Sequence, residues 1–537
     1  MMRPRGLIAA LTAFATLVVA GPSAGASPVN TGTLHIYVPG SFAGCTATSV
    51  NSSPALRSIM DLIRPSAFLP NSVGRLIGVR GPILSAELTS LKPQAVVYTI
   101  DRTFHWSNGD TFSVADLTNV IVEGRQSSAT WADGYHHIVS FAIGPKKNTL
   151  RVVFDNHYSD WSRMFRSLEH APVPRQCRFD QIVSQPSLGP YTLLSLTRAV
   201  AVLQANESWP HYEQLYRTVI VEAGAPATRI GATPFVDLRY GFTRQDLTAS
   251  SIHTDRYAKI GVSNHTAVVL YSPRRYLSSQ LKVREYLSAA LNRQELINQL
   301  IGEQTFAIAP ARFNLIGQAQ IGYIGDGGLS PVTQMTVPDS SDLQFTGTGD
   351  CRSCASALLN HGFGLRIRSG GVIFNGLPLV VRLAVGPSPK MRELAALIQS
   401  QWRMAGVSSF IARYDTELAA ANAVAYGAAE TALVEQTVGP VGSTAAAWYG
   451  PRRSDQFDAG WRSPQANSAA LAALSAFNPV EALTSWKSLD QIIASNFWMR
   501  PLFAMPYYLR WSSSISTVSP SNSLEGLLCQ LTLWNAT

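Results

Sequence analysis

Residues 106–117 read Trp-Ser-Asn-Gly-Asp-Thr-Phe-Ser-Val-Ala-Asp-Leu, and this stretch decides the fold because it encodes a turn and a capped helix in one run. The preceding residues 96–100 are mostly apolar and predict a strand. The Asn-Gly pair at 108–109 tolerates the positive φ angles of a two-residue primed turn. Ser113 and Asp116, three residues apart, predict a capping box that opens a helix.

Size and composition indicate a globular chain with more than one core. The chain has 537 residues, of which 46% are hydrophobic and 14% are charged. This length exceeds what one hydrophobic core usually supports, so two large lobes are expected. The formal net charge is +9, but the basic residues occur as isolated doublets without interleaved aromatic residues. That distribution disfavours nucleic-acid binding.

The amino-terminal residues predict export. Arg3 and Arg5 precede an apolar run over residues 6–20, and Ala24–Ala26 offers a small-residue cleavage site. We therefore expect a signal peptide cleaved near Ala26 and a periplasmic, cell-wall associated or extracellular protein. No later run reaches the roughly 18 uninterrupted apolar residues of a membrane span. Cys45 lies well beyond the apolar run, so we expect no lipid anchor there.

Several segments resemble one protein family in the same order along the chain. Residues 106–117 resemble the W-S-D-G…S-A-x-D-V signature of the extracellular solute-binding proteins, family 5, which are the oligopeptide, dipeptide and nickel receptors of ABC importers. Residues 187–209 resemble the family's Gly-Pro-Tyr segment and the strand that follows it. Residues 282–302 resemble its Val-Arg helix, with Asn292-Arg293 in place of Asp-Arg. Residues 376–411 and 480–511 resemble the family's later helix and strand segments.

The resemblance implies an α/β, bilobal fold of the periplasmic-binding-protein type II-like kind, with two α/β lobes joined by a hinge. We expect a signal peptide over 1–26, the amino-terminal part of lobe I over 27–264, lobe II over 265–499, and a return to lobe I over 500–537. Two crossings between lobes make a hinge, and a hinge permits closure around a ligand.

The resemblance also implies an interlobe cleft in which an acidic residue after a lobe II strand meets the ligand ammonium. Residues 432–440 lack the expected Asp-Pro loop, which puts the recognition of a zwitterionic peptide in doubt. Glu435 is the candidate substitute if its side chain faces the cleft; otherwise it is an ordinary solvent-facing carboxylate. The predicted ligand-binding residues are Ser41, Phe42, Tyr414, Glu435, Gln436, Thr437, Trp448 and Tyr449.

Together these features predict an extracytoplasmic substrate-binding receptor that captures a small, peptide-like solute and works with ABC transporter permease subunits. We expect a monomer that is not an enzyme and that has no cofactor, no metal and no nucleic-acid partner. A receptor for a nickel chelate, a sugar or another non-peptide solute is the alternative within the class. A secreted hydrolase is the alternative outside it.

Other motifs carry little chemistry. The G-x-S-x-G pattern at 21–25 lies in the leader, and the adjacent His136 and His137 would face opposite ways on a strand. Cys351 and Cys354 have the spacing of a redox or zinc half-site but lack a second ligand pair. A local disulfide or simple thiols is the preferred interpretation for the five cysteines, whose pairing the sequence leaves open.

Overall fold

The structure is a computed structural model of the chain. It describes residues 32–44, 53–67, 69–70, 76–77, 81–126, 133–161, 164–165, 167–168, 170, 178–210, 212, 215–224, 234–240, 257–302, 308–311, 313–315, 335–336, 344–345, 359, 364–368, 370–437, 459–476, 479–515, 518, 528 and 531. The cysteines, the predicted signal peptide, Trp448 and Tyr449 all lie outside these residues.

The described chain contains both strands and helices. The strands are β1 Thr33–Val38, β2 Leu69–Pro70, β3 Leu76–Ile77, β4 Ile83–Leu91, β5 Gln94–Ile100, β6 Ile138–Ile143, β7 Thr149–Phe154, β8 Tyr191–Leu196, β9 Val200–Ala205, β10 Thr218–Ala223, β11 Phe235–Tyr240, β12 Ala258–Tyr271, β13 Met335–Thr336, β14 Gln344–Phe345, β15 Leu365–Arg368, β16 Gly371–Phe374, β17 Leu377–Pro378, β18 Val380–Val385, β19 Ser408–Arg413, β20 Thr431–Thr437 and β21 Met499–Trp511. The helices are α1 Pro54–Ile63, α2 Val114–Gln126, α3 Asp133–His136, α4 Phe179–Val183, α5 Tyr276–Ser279, α6 Leu281–Ala289, α7 Arg293–Leu300, α8 Pro389–Met404, α9 Glu417–Ala425, α10 Pro464–Leu474 and α11 Pro479–Ser495.

One ten-stranded sheet runs through the molecule in the order β19-β18-β20-β12-β21-β11-β1-β10-β9-β8. The half of the sheet that includes β1, called the first half, contains the parallel strands β1, β10 and β11. The other half, called the second half, contains the parallel strands β18, β19 and β20. The long antiparallel strands β12 and β21 join the two halves. A separate four-stranded sheet, in the order β4-β5-β7-β6, is formed by residues 83–154.

Strands β12 and β21 each belong to both halves. At one end, Leu238 of β11 pairs with Leu509 of β21. At the other end, Val269 of β12 pairs with Leu433 of β20. The register of the β12–β21 pair shifts between Val262 and Thr266, where the chain passes from one half to the other. The lobe boundaries and the hinge expected from the sequence stay predictions; β12 and β21 are the strands that the two halves share.

Buried apolar side chains form separate clusters in the two halves. In the first half, α1 packs on the ten-stranded sheet, and a second cluster lies between the four-stranded sheet and α2. In the second half, both faces of the sheet are covered. Leu433 and Val269 lie with α6 to α8 on one face, and Val434 and Val268 lie with α9 to α11 on the other. The two halves thus each combine strands and helices around cores of their own, in keeping with the α/β fold that the sequence predicts.

The capping box predicted at Ser113 is present. The backbone N–H of Ser113 donates to Asp116 Oδ2 at 2.7 Å, and the Ala115 N–H donates to Ser113 Oγ at 3.2 Å. The prediction of a two-residue primed turn at Asn108-Gly109 is wrong. Gly109 has a φ of 90°, whereas Asn108 keeps a negative φ. The Gly109 N–H instead closes the turn on the Trp106 carbonyl at 2.8 Å.

The single helix expected over residues 282–302 is also wrong, because the structure divides it into α6 and α7. Asn292 lies between them in an extended conformation, and its side chain accepts a hydrogen bond from the Glu295 N–H at 2.8 Å. A side-chain acceptor at this position competes with continuation of the helix and starts a new one. The apolar periodicity continues across the break, so periodicity alone could not reveal it.

Candidate functional site

The carboxyl ends of both groups of parallel strands point toward the middle of β12 and β21. In the first half, β11 ends at Tyr240, which pairs with Tyr507 of β21. In the second half, β20 ends at Thr437, which pairs with His265 of β12. Tyr507 pairs in turn with Gly261 of β12, only four residues before His265. In open α/β sheets ligands bind outside the carboxyl ends of the strands, so this junction is the candidate cleft.

Glu435 lies near the carboxyl end of β20, beside His265 of β12. Its Oε1 is 3.3 Å from Nδ1 of His265, and the side chains are 29% and 19% exposed. Burial raises the pKa of Glu435 to about 7, although the charge of Lys390 favours the carboxylate. Burial lowers the pKa of His265 to about 4, and the positive charge of Arg57 on α1 acts in the same direction. At neutral pH the imidazole of His265 beside this carboxyl group is therefore uncharged.

Glu417 is a second carboxylate at the same edge, and sequence reasoning missed it. It is the first residue of α9, after the N-cap Thr416, whose hydroxyl accepts from the Ala419 N–H at 3.0 Å. Burial raises the pKa of Glu417 to about 7, and the charge of Glu435 adds to the rise. A Cβ atom placed on Gly386, which follows β18, would lie 2.3 Å from Glu417 Oε1. The absent side chain of Gly386 thus makes room for this carboxylate.

Gln436, next to Glu435 in β20, has a buried side chain whose polar atoms make no hydrogen bond among the described residues. Its residue is 3% exposed, and neither Nε2 nor Oε1 makes a hydrogen bond in the described part of the chain. Strand alternation puts its side chain on the same face as Val434, the face that α9 covers. A buried amide without a hydrogen bond costs about 1–3 kcal/mol, so a polar group that paired with this amide would recover that free energy.

The other predicted residues are placed as follows. Tyr414 comes directly after β19, is half-buried, and donates its N–H to the Val385 carbonyl at 2.9 Å. Ser41 is exposed after β1, whereas Phe42 is 1% exposed and packs in the apolar cluster of α1. Thr437 is the last residue of β20. Their roles as ligand contacts stay predictions.

The residues missed from the sequence are Arg57, His265, Gly386, Lys390 and Glu417. Two of them had a signal, because Gly386 follows an apolar strand within Gly-Pro-Ser-Pro and Glu417 follows the helix-capping Thr416. His265 and Arg57 reach the edge only through strand pairing and through packing between distant segments. Within the described residues there is no group of three or more His, Cys, Asp or Glu side chains that could hold a metal ion. None of the helices described is long and apolar enough to cross a bilayer.

Solved structures share this architecture over nearly the whole chain. The periplasmic EDTA-binding protein EppA superposes with a TM-score of 0.78 at 17% identity, over 95% of this chain and 98% of its own. NikZ from Campylobacter jejuni, in complex with Ni(L-His), has a TM-score of 0.71 at 14% identity, over 95% of this chain and 100% of its own. The chain has the fold of the two-lobed periplasmic binding proteins. The fold class predicted from the sequence is confirmed.

The chain is also similar to two oligopeptide-binding proteins. AppA from Bacillus subtilis, in complex with a nonapeptide, has a TM-score of 0.71 at 12% identity, over 95% of this chain and 100% of its own. The oligopeptide-binding protein OppA of Mycobacterium tuberculosis and Mycobacterium bovis is 26% identical over 165 residues, which is 28% of this chain and 28% of the relative. No protein-family profile matches the chain. The resemblance to the oligopeptide and nickel receptors is confirmed, and at these identities the structural likeness shows the fold.

Proposed function

We propose that the protein is an extracytoplasmic receptor of an ABC importer, which captures a small solute in the cleft between its lobes by hinge closure. The observation that carries this proposal is the junction at β12 and β21, where the strand ends of both halves converge on two shared strands. Among the described residues, two antiparallel segments cross there, and rotation of the halves about them would open and close the cleft. EppA and AppA, which share this architecture, are named as binding proteins, and NikZ was solved in complex with Ni(L-His).

The ligand we favour is a peptide-like solute with a positively charged group. Glu435 carries a raised pKa at the cleft edge, so a cation beside it would stabilise its charged form. Gln436 offers an unpaired amide to a polar ligand group. Further proposed contacts are Tyr414, Thr437, Ser41 and Phe42, together with Trp448 and Tyr449, which lie outside the described residues.

A non-peptide solute is the second candidate. The Asp-Pro loop expected after β20 is absent from the sequence, and two neighbours are named for EDTA and for Ni(L-His). A metal chelate would carry its own ligands for the metal, so it would ask the protein only for polar and charged contacts. Such a receptor uses the same cleft.

The proposal requires no chemical step. We propose that the protein is exported, that its signal peptide is removed near Ala26, and that it acts as a monomer. Its partners are the solute and the permease subunits, which would recognise the closed form. The proposed lobes are 27–264 with 500–537, and 265–499.

The test is a ligand screen of the purified protein by thermal shift. Peptides of two to five residues, amino acids, sugars, nickel-histidine and metal–EDTA chelates are added singly, and each mixture is assayed for product. We expect a saturable shift without product, because a ligand at 100 times its Kd adds about 2.7 kcal/mol to the free energy of unfolding. Turnover of a peptide or ester would instead support the hydrolase.

A further inference from the structure

A hydrogen bond joins the two halves of the molecule at a place other than β12 and β21. The backbone N–H of Ser159, which follows the four-stranded sheet in the chain, donates to the Leu474 carbonyl at 2.8 Å. Leu474 is the last residue of α10, and the carbonyl groups in the last turn of a helix have no partner within that helix. An N–H group beside the four-stranded sheet therefore satisfies a helix end on the second half of the large sheet.

The side chain of Leu474 bridges the same boundary. It packs on the apolar cluster of α9 to α11, and it also packs on the cluster between the four-stranded sheet and α2. Ser159 is fully buried, and the neighbouring Tyr158 belongs to the second of these clusters. The junction thus combines a buried hydrogen bond with apolar contacts on both sides.

The four-stranded sheet is itself fixed to the first half of the large sheet. Ser107, in the loop before α2, and Ser187 exchange two hydrogen bonds, of 2.8 and 2.9 Å. The Ser187 hydroxyl also donates to the carbonyl of Ile63, the last residue of α1, at 2.7 Å. Trp209 packs on the apolar clusters of both parts. The four-stranded sheet and α1 therefore form one packed unit, which Leu474 contacts from the other half.

A rotation that separates the halves about β12 and β21 breaks this junction. A hydrogen bond of this kind is lost when its heavy atoms are about 3.6 Å apart, so α10 needs to shift by only about 1 Å. The same shift removes the side chain of Leu474 from one of its two clusters. The junction therefore belongs to the arrangement in which the halves touch.

We infer that Ser159 and Leu474 form a latch that holds the closed conformation and is released when the cleft opens. The inference rests on the hinge closure of the proposed function. Because the contact exists only in the closed form, it raises the fraction of closed molecules before any solute is bound. A solute that prefers the closed form binds more weakly without the latch, by the factor by which the closed population falls.

The test uses the purified protein without solute and the variant Leu474→Gln. The matched control is Leu471→Gln, three residues earlier on α10, where the side chain is 62% exposed. Mass spectrometry measures hydrogen exchange at the Ser159 amide, and small-angle X-ray scattering measures the radius of gyration. We expect Leu474→Gln to speed this exchange about fivefold or more and to enlarge the radius of gyration. Leu471→Gln should change neither quantity.

Two results would overturn the latch. Faster exchange at Ser159 with an unchanged radius of gyration would show a local contact that does not control the halves. Unchanged exchange in Leu474→Gln would show that its side chain does not hold the junction. Thermal unfolding verifies that the variant is folded, and Leu474→Ala replaces it in both measurements if it is not.

The solute screen tests the receptor separately. The expected exchange and scattering results, together with no solute that shifts the unfolding temperature, would remove the receptor and leave the latch. A saturable shift with a solute, together with unchanged exchange and scattering in Leu474→Gln, would remove the latch and leave the receptor.

Discussion

Gly386 is the position that most directly controls the Glu417 carboxylate. A Cβ atom there would overlap Glu417 Oε1, so Gly386→Ala must push the carboxylate aside. The obstructed atoms belong to the end of a flexible side chain, so we expect the free energy of unfolding to change by less than about 1 kcal/mol. Solute binding measured by calorimetry should weaken severalfold.

The matched control for this change is Gly370→Ala, because a Cβ at Gly370 meets nothing within 4 Å. It should leave both stability and solute binding unchanged. If Gly386→Ala binds the solute as tightly as the wild type, the carboxylate at Glu417 takes no part in the cleft.

His265 makes a separate prediction about stability in acid. Its pKa is lowered from 6.5 to about 4, so between these values the unfolded chain binds a proton that the folded protein does not. Stability from this group is therefore present above pH 6.5 and is lost as the pH falls through 4. We expect His265→Gln to lose about 1–3 kcal/mol less than the wild type between pH 6.5 and pH 4.

Urea unfolding at a series of pH values measures this difference. The exposed His136→Gln serves as the control and should follow the wild-type profile. A His265→Gln profile that parallels the wild type would show that His265 titrates normally in the folded protein.

The buried side chain of Asp490 links helix α11 to a distant segment of the chain. Asp490 on α11 is fully buried, and its Oδ1 accepts the backbone N–H groups of Asn314 and Leu315, both at 2.7 Å. Asp490→Ala leaves both donors unpaired, and we expect it to lower the free energy of unfolding by about 2–4 kcal/mol.

Asp490→Asn separates the hydrogen bonds from the charge. The amide oxygen can accept the same two N–H groups. Asn314 Nδ2 donates to Asp490 Oδ2 at 3.4 Å in the wild type, and a flip of the Asn314 amide would let its Oδ1, which has no partner among the described residues, accept from the new amide nitrogen instead. Burial also raises the pKa of Asp490 to about 7, so the wild type carries a costly charge at pH 8. We expect Asp490→Asn to be within about 1 kcal/mol of the wild type at pH 8 by urea unfolding. An equal loss in both variants would contradict the role of the shared oxygen.

Sequence patterns predicted elements well where each element depends on its own residues. The capping box at Ser113 and the helix now seen as α8 both follow from local spacing. Local patterns failed where a side chain redirects the backbone, as at Asn292, and where a strand extends beyond its apolar run. Residues 258–264 of β12 include Gly261, Ser263 and Asn264, and they form a strand because β21 pairs with most of them. A single sequence does not contain that pairing.

The candidate cleft was predictable only in part for the same reason. Glu435 lies near the end of one strand and Tyr414 directly after another, so the apolar strand patterns in the sequence were enough to identify both residues as candidates. Glu417 becomes part of the cleft through the packing of α9, and His265 through its position on β12 opposite Thr437. These placements depend on contacts between segments far apart in the chain.

The continuous sheet makes the two halves of the molecule depend on each other for stability. Strand β21 supplies Leu509 to the cluster around α1 and Phe503 to the cluster around α6 to α8, and both side chains are fully buried. A half that unfolds must release strands that the other half needs for its own pairing and packing. We therefore expect one cooperative unfolding transition, although two-lobed proteins often show two.

Leu509→Ala and Phe503→Ala test this coupling. Each removes buried apolar volume from one half, at a cost of about 2–5 kcal/mol. If the halves unfold together, both variants lower the midpoint of the same transition, whether it is followed by far-UV circular dichroism or by tryptophan fluorescence. Leu471→Ala on α10, where the side chain is 62% exposed, should leave the midpoint unchanged. Two separate transitions, each moved by only one variant, would show that β12 and β21 connect the halves without coupling their stability.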